Sequence, residues 1–354
     1  MIKVLVVDDS AVVRQHLKYL YEADGTMKVC GLAVNGREAV DMASLLKPDV
    51  ISMDINMPVM NGMEATRLIM ETEPVPIVIV SASYQKNDVE KSFLAIEAGA
   101  VAILGKPGGD SSAIGMTTRQ DLLETIKLMS EIKVVRRWSR SLATKRPAPD
   151  VAISVSRGHK IAVVAIGAST GGPPVLQTIL SGLDSSFPAP VLIVQHIAKG
   201  FIGGLVDWLN QTTEMRVSVA RHNERAAAGS RVYLAPDDMH LGIDGSSRLI
   251  LSNAEPENGV RPSVSYLFRS AIEAFGKATA GVLLTGMGKD GADELLAMHN
   301  AGGVTIAQDR ETSVVFGMPG EAVRLGAADH VLAPDLIPPV LSRIARPGPK
   351  NADS

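Results

Sequence analysis

A serine, a histidine and an aspartate in the second half of the chain have the residue types of a hydrolytic set. Ser169 lies in the glycine-rich run Gly167-Ala-Ser-Thr-Gly-Gly172, directly after an apolar segment. His196 directly follows a second apolar segment, Val191–Gln195. A serine hydroxyl becomes a nucleophile when a base accepts its proton and a third group orients that base. Asp290, in a glycine-rich loop further along, offers the carboxylate for that third place.

Three interpretations of the glycine-rich run around Ser169 compete. The run could cradle a dinucleotide pyrophosphate, form a structural strand-to-helix turn, or raise the serine above a sheet as a nucleophile. Ser169 occupies the second glycine position of the dinucleotide fingerprint, and Gln195-His196 stands where a ribose-binding acid would end the next strand. The run is not the usual G-x-S-x-G elbow either. With a base and an orienting group available, the residues favour a nucleophile's turn, and backbone N–H groups near Thr170 or Met287 could hold an oxyanion.

A second group of polar residues follows successive apolar runs in the first half of the chain. Asp8 and Asp9 follow the first run, Asp54 the third, Ser81 ends the fourth and Lys106 follows the fifth. The carboxyl ends of parallel strands line the ligand crevice of an open sheet. Three carboxylates there would repel one another without a cation, and hard oxygen ligands suit Mg²⁺. An ammonium and a hydroxyl in the same crevice suit a transferred phosphoryl group.

Alternating strand and helix patterns position these residues. In the first half we predict strands at Ile2–Val7, Val29–Ala33, Asp49–Met53, Pro76–Ser81 and Ala100–Leu104, and helices after a Ser10 cap and at Gly36–Leu46, Gly62–Glu71 and Val89–Ala98. In the second half we predict buried strands at Ile161–Ile166, Val191–Val194 and Gly281–Thr285, and hairpin-type strands at Val217–Ala220, Arg231–Ala235, His240–Ile243 and Leu249–Ser252. The pattern indicates two α/β domains, the second with an antiparallel insertion.

The length and composition of the chain limit the classes of protein to which it can belong. A chain of 354 residues with 46% hydrophobic residues is long and apolar enough for two domains. A net charge of −3 gives no bulk attraction to nucleic acid or anionic membranes, and the single cysteine, Cys30, excludes an intrachain disulfide. There is no signal-peptide pattern and no apolar run of membrane-spanning length. We therefore expect a cytoplasmic protein without nucleic-acid binding or direct membrane insertion.

The first half resembles the receiver domain of two-component response regulators. The resemblance rests on Val7-Asp-Asp-Ser10, Met53-Asp-Ile-Asn-Met-Pro58, Ser81 and Lys106-Pro107. It implies a flavodoxin-like, five-stranded parallel sheet and a histidine kinase as phosphodonor. The site roles that the resemblance implies are phosphoacceptor for Asp54, Mg²⁺ ligands for Asp8, Asp9 and Asp54, switch hydroxyl for Ser81 and phosphoryl contact for Lys106. Ile103 departs from the family pattern, because receivers usually place an aromatic residue three positions before this lysine.

The second half resembles the catalytic domain of chemotaxis protein-glutamate methylesterases, the CheB family. The matching stretches are Ala165–Gly172, Gln195-His196, Tyr233–Pro236, Arg261–Val264, Leu284–Gly288 with Asp290-Gly291, and Ala307–Asp309 with Val315–Pro319. The resemblance implies Ser169 as nucleophile, His196 as general base and acid, Asp290 as its orienter, Met287 near the oxyanion and Thr170 beside the serine.

The same resemblance implies a Rossmann-like parallel sheet with a β-hairpin insertion and no cofactor in the catalytic domain. The implied substrates are methyl-esterified glutamates, and specific glutamines, on cytoplasmic segments of methyl-accepting chemoreceptors. Lys199 departs from the family pattern by adding a charge in the loop after His196. A receiver joined to a hydrolase also implies that phosphorylation activates the enzyme.

The predicted boundaries are a receiver domain at 1–122, a helix extension and basic, proline-rich linker at 123–158, a catalytic domain at 159–345 and a flexible tail at 346–354. One alternative from another class stays open at this stage. The chain could be a phosphorylation-dependent binding module in a pathway unrelated to motility, with a partner surface in place of a substrate.

Overall fold

The computed structural model describes residues 1–81, 86–106, 119–132, 134 and 161–345. The described chain forms two compact units. Pro107, most of the predicted linker and the predicted tail at 346–354 lie outside the described residues. The helix expected from Asp121 is α5, which begins at Arg119 and ends at Ser130.

The first unit contains a five-stranded sheet in the order β2-β1-β3-β4-β5, with every neighbouring pair parallel. Its strands are β1 Ile2–Val7, β2 Met27–Ala33, β3 Val50–Met53, β4 Ile77–Ser81 and β5 Ala102–Gly105. Its helices are α1 Ala11–Glu22, α2 Gly36–Leu46, α3 Gly62–Thr72, α4 Lys86–Ala98 and α5 Arg119–Ser130. This is the flavodoxin-like order, whose switch point lies between β1 and β3.

Local sequence signals begin the helices of the first unit. Ser10 caps α1, as predicted, by accepting the Val13 N–H. Asn35 and Asn61 cap α2 and α3 in the same way. The last strand, β5, begins two residues later than predicted because its register with β4 starts at Ala102. These caps satisfy amide groups that would otherwise lack helical partners.

The second half of the chain forms a seven-stranded sheet in the order β14-β13-β12-β6-β7-β9-β8, and all neighbouring pairs are parallel. Its strands are β6 Val163–Ala168, β7 Val191–Gln195, β8 Arg216–Val219, β9 Arg231–Leu234, β12 Thr279–Leu283, β13 Val304–Gln308 and β14 His330–Leu332. The chain leaves β6 toward β7 and later returns on the other side with β12. The switch point of this sheet therefore lies between β6 and β12.

One part of the predicted topology is wrong. The runs near Val217 and Arg231 are not hairpin strands; they are β8 and β9, which extend the main sheet in parallel. Only β10 His240–Ile243 and β11 Leu249–Ser252 form the antiparallel hairpin. A short apolar run has the same pattern in a hairpin as in a parallel strand. Val232, Tyr233 and Leu234 are all buried, as expected for an interior strand.

Helices cover the second sheet and bury their apolar faces against it. They are α6 Gly172–Gly182, α7 Ile202–Thr212, α8 Val264–Phe275, α9 Ala292–Asn300, α10 Met318–Arg324 and α11 Ile337–Ala345, with 3₁₀ turns at Gly276–Ala278 and Pro334–Leu336. Helix α8 shows why such helices form here: Val264, Leu267, Phe268 and Ala271 recur at helical spacing and are fully buried. None of the described helices combines the length and apolarity needed to cross a membrane.

Candidate functional site

Ser169 lies at the carboxyl end of β6, in a tight turn that leads into α6. Its N–H donates to the Thr285 carbonyl at 3.0 Å, and its carbonyl accepts the Gly172 N–H at 2.8 Å. Gly171 has a φ of +79°, a left-handed conformation that a side chain would strain. Helix α6 begins at Gly172, three residues after the serine. The N-terminus of a helix carries a partial positive charge that stabilises an anion.

The glycines of this turn contact protein side chains. A Cβ on Gly171 would lie 2.5 Å from Val314 Cβ, and a Cβ on Gly172 would lie 2.1 Å from Gln195 Oε1. A pyrophosphate cradle needs open space at such positions, so these contacts disfavour the dinucleotide interpretation. Gly286, beyond β12, lets a second loop approach the serine, since a Cβ on this residue would lie 2.6 Å from Ser169 Cβ.

His196 begins the loop after β7, beside the serine turn. Strands β6 and β7 are parallel neighbours with Ala168 opposite Gln195, so the next residues of both strands leave the sheet together. The His196 N–H donates to the Ala168 carbonyl at 2.9 Å. The imidazole is 16% exposed, which leaves it accessible to a small reactant. The predicted placement of His196 beside the serine strand is confirmed by this register.

Asp290 contacts the imidazole from the loop after β12. Its Oδ2 lies 3.1 Å from His196 Nε2. The carboxylate also accepts the Val264 N–H at 2.6 Å, the Ser263 hydroxyl at 2.7 Å and the Asn258 amide at 3.0 Å. The first two donors belong to the N-terminus of α8, where Ser263 is the cap and the helix dipole favours an anion.

These donors keep Asp290 ionised. Burial opposes the charge, but the contact with His196 and the hydrogen bonds from Ser263 and Val264 together hold the pKa of Asp290 well below its usual range. An ionised carboxylate facing Nε2 favours the imidazole tautomer with its proton on Nε2. Nδ1 is then the nitrogen that can exchange a proton with a hydroxyl.

Thr285 and Gly286 fix the loop that passes Ser169. The Thr285 hydroxyl donates to the Thr170 carbonyl at 2.9 Å and accepts the Val315 N–H at 2.9 Å. The Gly286 N–H donates to the Val315 carbonyl at 3.0 Å. Within the described part of the chain, no group accepts the N–H of Thr170 or of Met287. Thr170 and Met287 are the residues near which the sequence predicts oxyanion-binding N–H groups.

Sequence reasoning did not assign roles to the residues that hold this set. Gln195, Ser263 and Asn258 all bond to the backbone or side chains of the three reactive residues. For Ser263 a signal existed, since a serine before an apolar run of helical spacing is a typical N-cap. For Asn258 no local pattern points to a partner 32 residues away.

The polar residues of the first unit also meet at the carboxyl edge of their sheet. Carboxylate oxygens of Asp8, Asp9 and Asp54 lie within 4.8 Å of one another. The Lys106 ammonium is 2.6 Å from Asp8 Oδ2 and 3.1 Å from Asp54 Oδ2. Ser81 is buried at the end of β4, and its carbonyl accepts the Lys106 N–H at 2.9 Å. The predicted convergence of these residues is confirmed.

Asp54 sits in a different electrostatic environment from Asp290. Burial raises the pKa of Asp54 to about 6, against the opposing attraction of Lys106 and with a further contribution from the Asp8 carboxylate. Asp9 is exposed, so the three-carboxylate cluster opens to solvent. A solvent-accessible set of hard oxygen donors fits a small divalent cation such as Mg²⁺.

The fold and the two sites define a receiver domain joined to an α/β domain with a serine-hydrolase arrangement. Two family models match: the CheB methylesterase over residues 164–341 and the response regulator receiver domain over residues 4–116. The first match covers half of the chain. The protein belongs to the CheB methylesterase family.

Related proteins agree over nearly the whole chain. A "Protein-glutamate methylesterase/protein-glutamine glutaminase 1" from Syntrophus aciditrophicus is 51% identical over 348 residues, covering 98% of this chain and 99% of the relative. A relative of the same designation, numbered 4, from Geobacter metallireducens is 52% identical over 349 residues, with 98% and 99% coverage. The solved CheB methylesterase catalytic domain of Thermotoga maritima is 39% identical, covers 52% of this chain and 99% of its own, and superposes with a TM-score of 0.50.

Proposed function

We propose that this protein is a phosphorylation-activated hydrolase that removes methyl esters from glutamates on cytoplasmic segments of methyl-accepting chemoreceptors and deamidates specific glutamines there. The observation that carries the proposal is the meeting of Ser169, His196 and Asp290 at the switch point of the second sheet. The relatives named as methylesterases and glutaminases support it over 98% of the chain. They do not favour the alternative of a binding module without catalysis.

The first half-reaction transfers the glutamyl group to the serine. Ser169 Oγ attacks the ester carbonyl carbon while His196 Nδ1 accepts the hydroxyl proton. The N–H groups of Thr170 and Met287 hold the oxyanion of the tetrahedral intermediate. The intermediate expels methoxide, which takes the proton from His196 and leaves as methanol. Asp290 stabilises the imidazolium through Nε2.

The second half-reaction releases the product. His196 takes a proton from water, the resulting hydroxide attacks the glutamyl ester, and Ser169 leaves with the proton returned by His196. The products are a glutamate side chain and free enzyme. A glutamine amide passes through the same intermediates, with ammonia leaving in place of methanol.

In the receiver, Asp54 is the proposed phosphoacceptor and a histidine kinase the proposed phosphodonor. Asp8, Asp9 and Asp54 would hold Mg²⁺, which when bound neutralises charge on the phosphoryl oxygens. Lys106 would contact the phosphoryl group, as its position beside Asp54 suggests. Ser81 would supply the switch hydroxyl.

Phosphorylation is proposed to release an inhibited hydrolase. A phosphoryl group adds about −2 charge and new hydrogen-bond acceptors, enough to bias a two-state switch. We expect a fragment that begins near Val151 to hydrolyse methyl esters faster than the unphosphorylated full chain. A fragment no faster than the full chain would overturn this part of the proposal.

Methanol release from methylated receptor, with and without a small phosphodonor, tests the proposed activity. We expect the phosphodonor to accelerate release and Ser169→Ala to abolish it. Ser181→Ala is the matched control, because Ser181 is an exposed serine on α6 whose hydroxyl donates to the Thr212 carbonyl. Release at the normal rate by the Ser169→Ala protein would refute the proposal.

A further inference from the structure

The side chain of Gln195 connects the serine turn to the histidine loop. It is the last residue of β7 and is 3% exposed. Its Nε2 group lies 2.8 Å from the Ser169 carbonyl oxygen and 2.8 Å from the His196 carbonyl oxygen. A primary amide carries two N–H hydrogens, so one is available for each carbonyl.

This bridge fixes the relative position of the two residues that must exchange a proton. The backbone adds one direct bond between the segments, from the His196 N–H to the Ala168 carbonyl. That bond holds the peptide planes that precede Ser169 and His196. Of the two planes that follow these residues, that of Ser169 is also held by the Gly172 N–H, at 2.8 Å. The Gln195 amide holds both of those planes by their carbonyls. A shift of about 1 Å between reacting groups can lower a rate about a hundredfold.

The environment of Gln195 Oε1 bears on the orientation of the side-chain amide. Gln195 Oε1 is buried and, among the described residues, has no hydrogen-bond partner. It packs where a side chain on residue 172 would lie, and Gly172 leaves the space. An unsatisfied buried oxygen destabilises a fold. The two carbonyls that accept from Nε2 nevertheless determine the orientation of the amide. A flipped amide would place Oε1 against the carbonyl oxygens of Ser169 and His196.

We propose that Gln195 is a positioning residue for ester hydrolysis, acting through the carbonyls of Ser169 and His196. The inference rests on the proposed function, since it assigns Gln195 to the same reaction. It is distinct from a packing role, because packing depends on the shape of the side chain whereas positioning depends on its two N–H donors.

Two substitutions in the full chain separate the donors from the shape. Gln195→Met keeps the length of the side chain and removes both donors. Gln195→Glu keeps the shape and, when ionised, places oxygen against both carbonyls; when protonated, it regains one donor. Thr305→Val is the control, because Thr305 lies on β13, three strands away from Gln195, and the substitution removes the hydrogen bonds between its buried hydroxyl and Asp329. Each variant is assayed for methanol release from methylated receptor with phosphodonor, and its unfolding is followed by calorimetry.

We expect Gln195→Met to lower kcat about 10- to 100-fold while KM stays within about threefold of the parent value. We expect Thr305→Val to lose thermal stability while keeping its kcat. For Gln195→Glu, the ratio of its kcat to that of the parent chain should rise as the pH falls from 8 to 5.5, because protonation restores one donor.

The proposal is overturned if folded Gln195→Met keeps kcat within twofold, if only KM changes, or if the Gln195→Glu ratio does not vary with pH. A loss of kcat in Thr305→Val equal to that in Gln195→Met would also overturn it. These outcomes are separate from failure of the proposed function, which would appear as activity in the Ser169→Ala chain.

Discussion

Asp54 and Asp290 are buried carboxylates beside the switch points of two parallel sheets, and their pKa values move in opposite directions. Asp54 follows β3, which borders the switch between β1 and β3, and Asp290 lies in the loop after β12, which borders the switch between β6 and β12. Their exposures are nearly equal, at 6% and 4%. Burial raises the pKa of Asp54 to about 6, whereas contacts hold the pKa of Asp290 well below its usual range despite burial.

The difference lies in what surrounds each carboxylate. Asp290 accepts hydrogen bonds from the N-terminus of α8 and from Asn258, and its Oδ2 lies 3.1 Å from an imidazole nitrogen. Asp54 shares one ammonium, that of Lys106, with the neighbouring Asp8 carboxylate. Burial alone therefore does not decide the charge of an acid; the number of donors aimed at it does. A carboxylate that stays ionised, such as Asp290, suits the role of orienting an imidazole. A carboxylate with few donors, such as Asp54, suits the binding of a cation and a phosphoryl group.

Removing the charge of Asp290 is expected to have the largest effect on catalysis. Asp290→Asn should lower kcat for methanol release about 10³- to 10⁴-fold, because the amide no longer favours the imidazole tautomer with its proton on Nε2. Steady-state methanol release measures this. Asp293→Asn, an exposed acid three residues later, is the control and should keep its activity. A decrease in kcat of less than tenfold would show that Asp290 does not orient the imidazole.

Removing the carboxylate of Asp54 should affect regulation and leave the chemistry intact. Asp54→Asn is expected to abolish the stimulation by phosphodonor, which for coupled sites is typically about 5- to 150-fold, while unstimulated methanol release persists. Asp41→Asn, an exposed acid on α2, should respond to phosphodonor like the parent chain. Stimulation that persists in Asp54→Asn would place the phosphoacceptor elsewhere.

The two carboxylates should also have opposite effects on stability at pH 7. A carboxylate whose folded pKa lies below its unfolded value of about 4 stabilises the fold above that pH, and the stabilisation disappears as pH falls through the folded pKa. Asp290→Asn should therefore destabilise its unit by about 2 kcal/mol or more at pH 7 and by less at pH 3.

For Asp54 the sign reverses. A carboxyl group whose folded pKa is raised to about 6 destabilises the fold as pH rises from about 4 through 6. Asp54→Asn should therefore stabilise its unit by about 2 kcal/mol at pH 7, in EDTA, and change little at pH 3. Calorimetry across this pH range measures both variants, and the same sign for both would contradict the electrostatic contrast.

The smallest expected effect is that of Mg²⁺ on the first unit. At about five times its Kd, Mg²⁺ should stabilise the unit that carries the Asp8, Asp9 and Asp54 cluster by about 1 kcal/mol, because it binds only the folded cluster. The Asp8→Asn, Asp9→Asn double variant should lose this shift. A shift of equal size in the double variant would place the cation elsewhere.

The placement of the reactive residues follows from sequence because strand ends are easy to recognise. Asp54, Lys106 and His196 directly follow short apolar runs, and parallel strands bring such positions to one edge. The parallel course of β8 and β9 could not be recognised, since short buried runs carry no signal of direction. The Asn258 donor to Asp290 was missed for a related reason: Asn258 reaches the carboxylate through the tertiary path of its loop, at a sequence separation of 32 residues.

Trapping the covalent intermediate is the most direct test of the proposed chemistry. The full chain, activated with phosphodonor, is mixed with methylated receptor segments, quenched in acid during the first turnover and analysed by peptide mass spectrometry alongside methanol release. We expect a burst of methanol and a glutamyl adduct on the peptide that carries Ser169. A methanol burst accompanied by an adduct on another residue would contradict the assignment of Ser169 as the nucleophile.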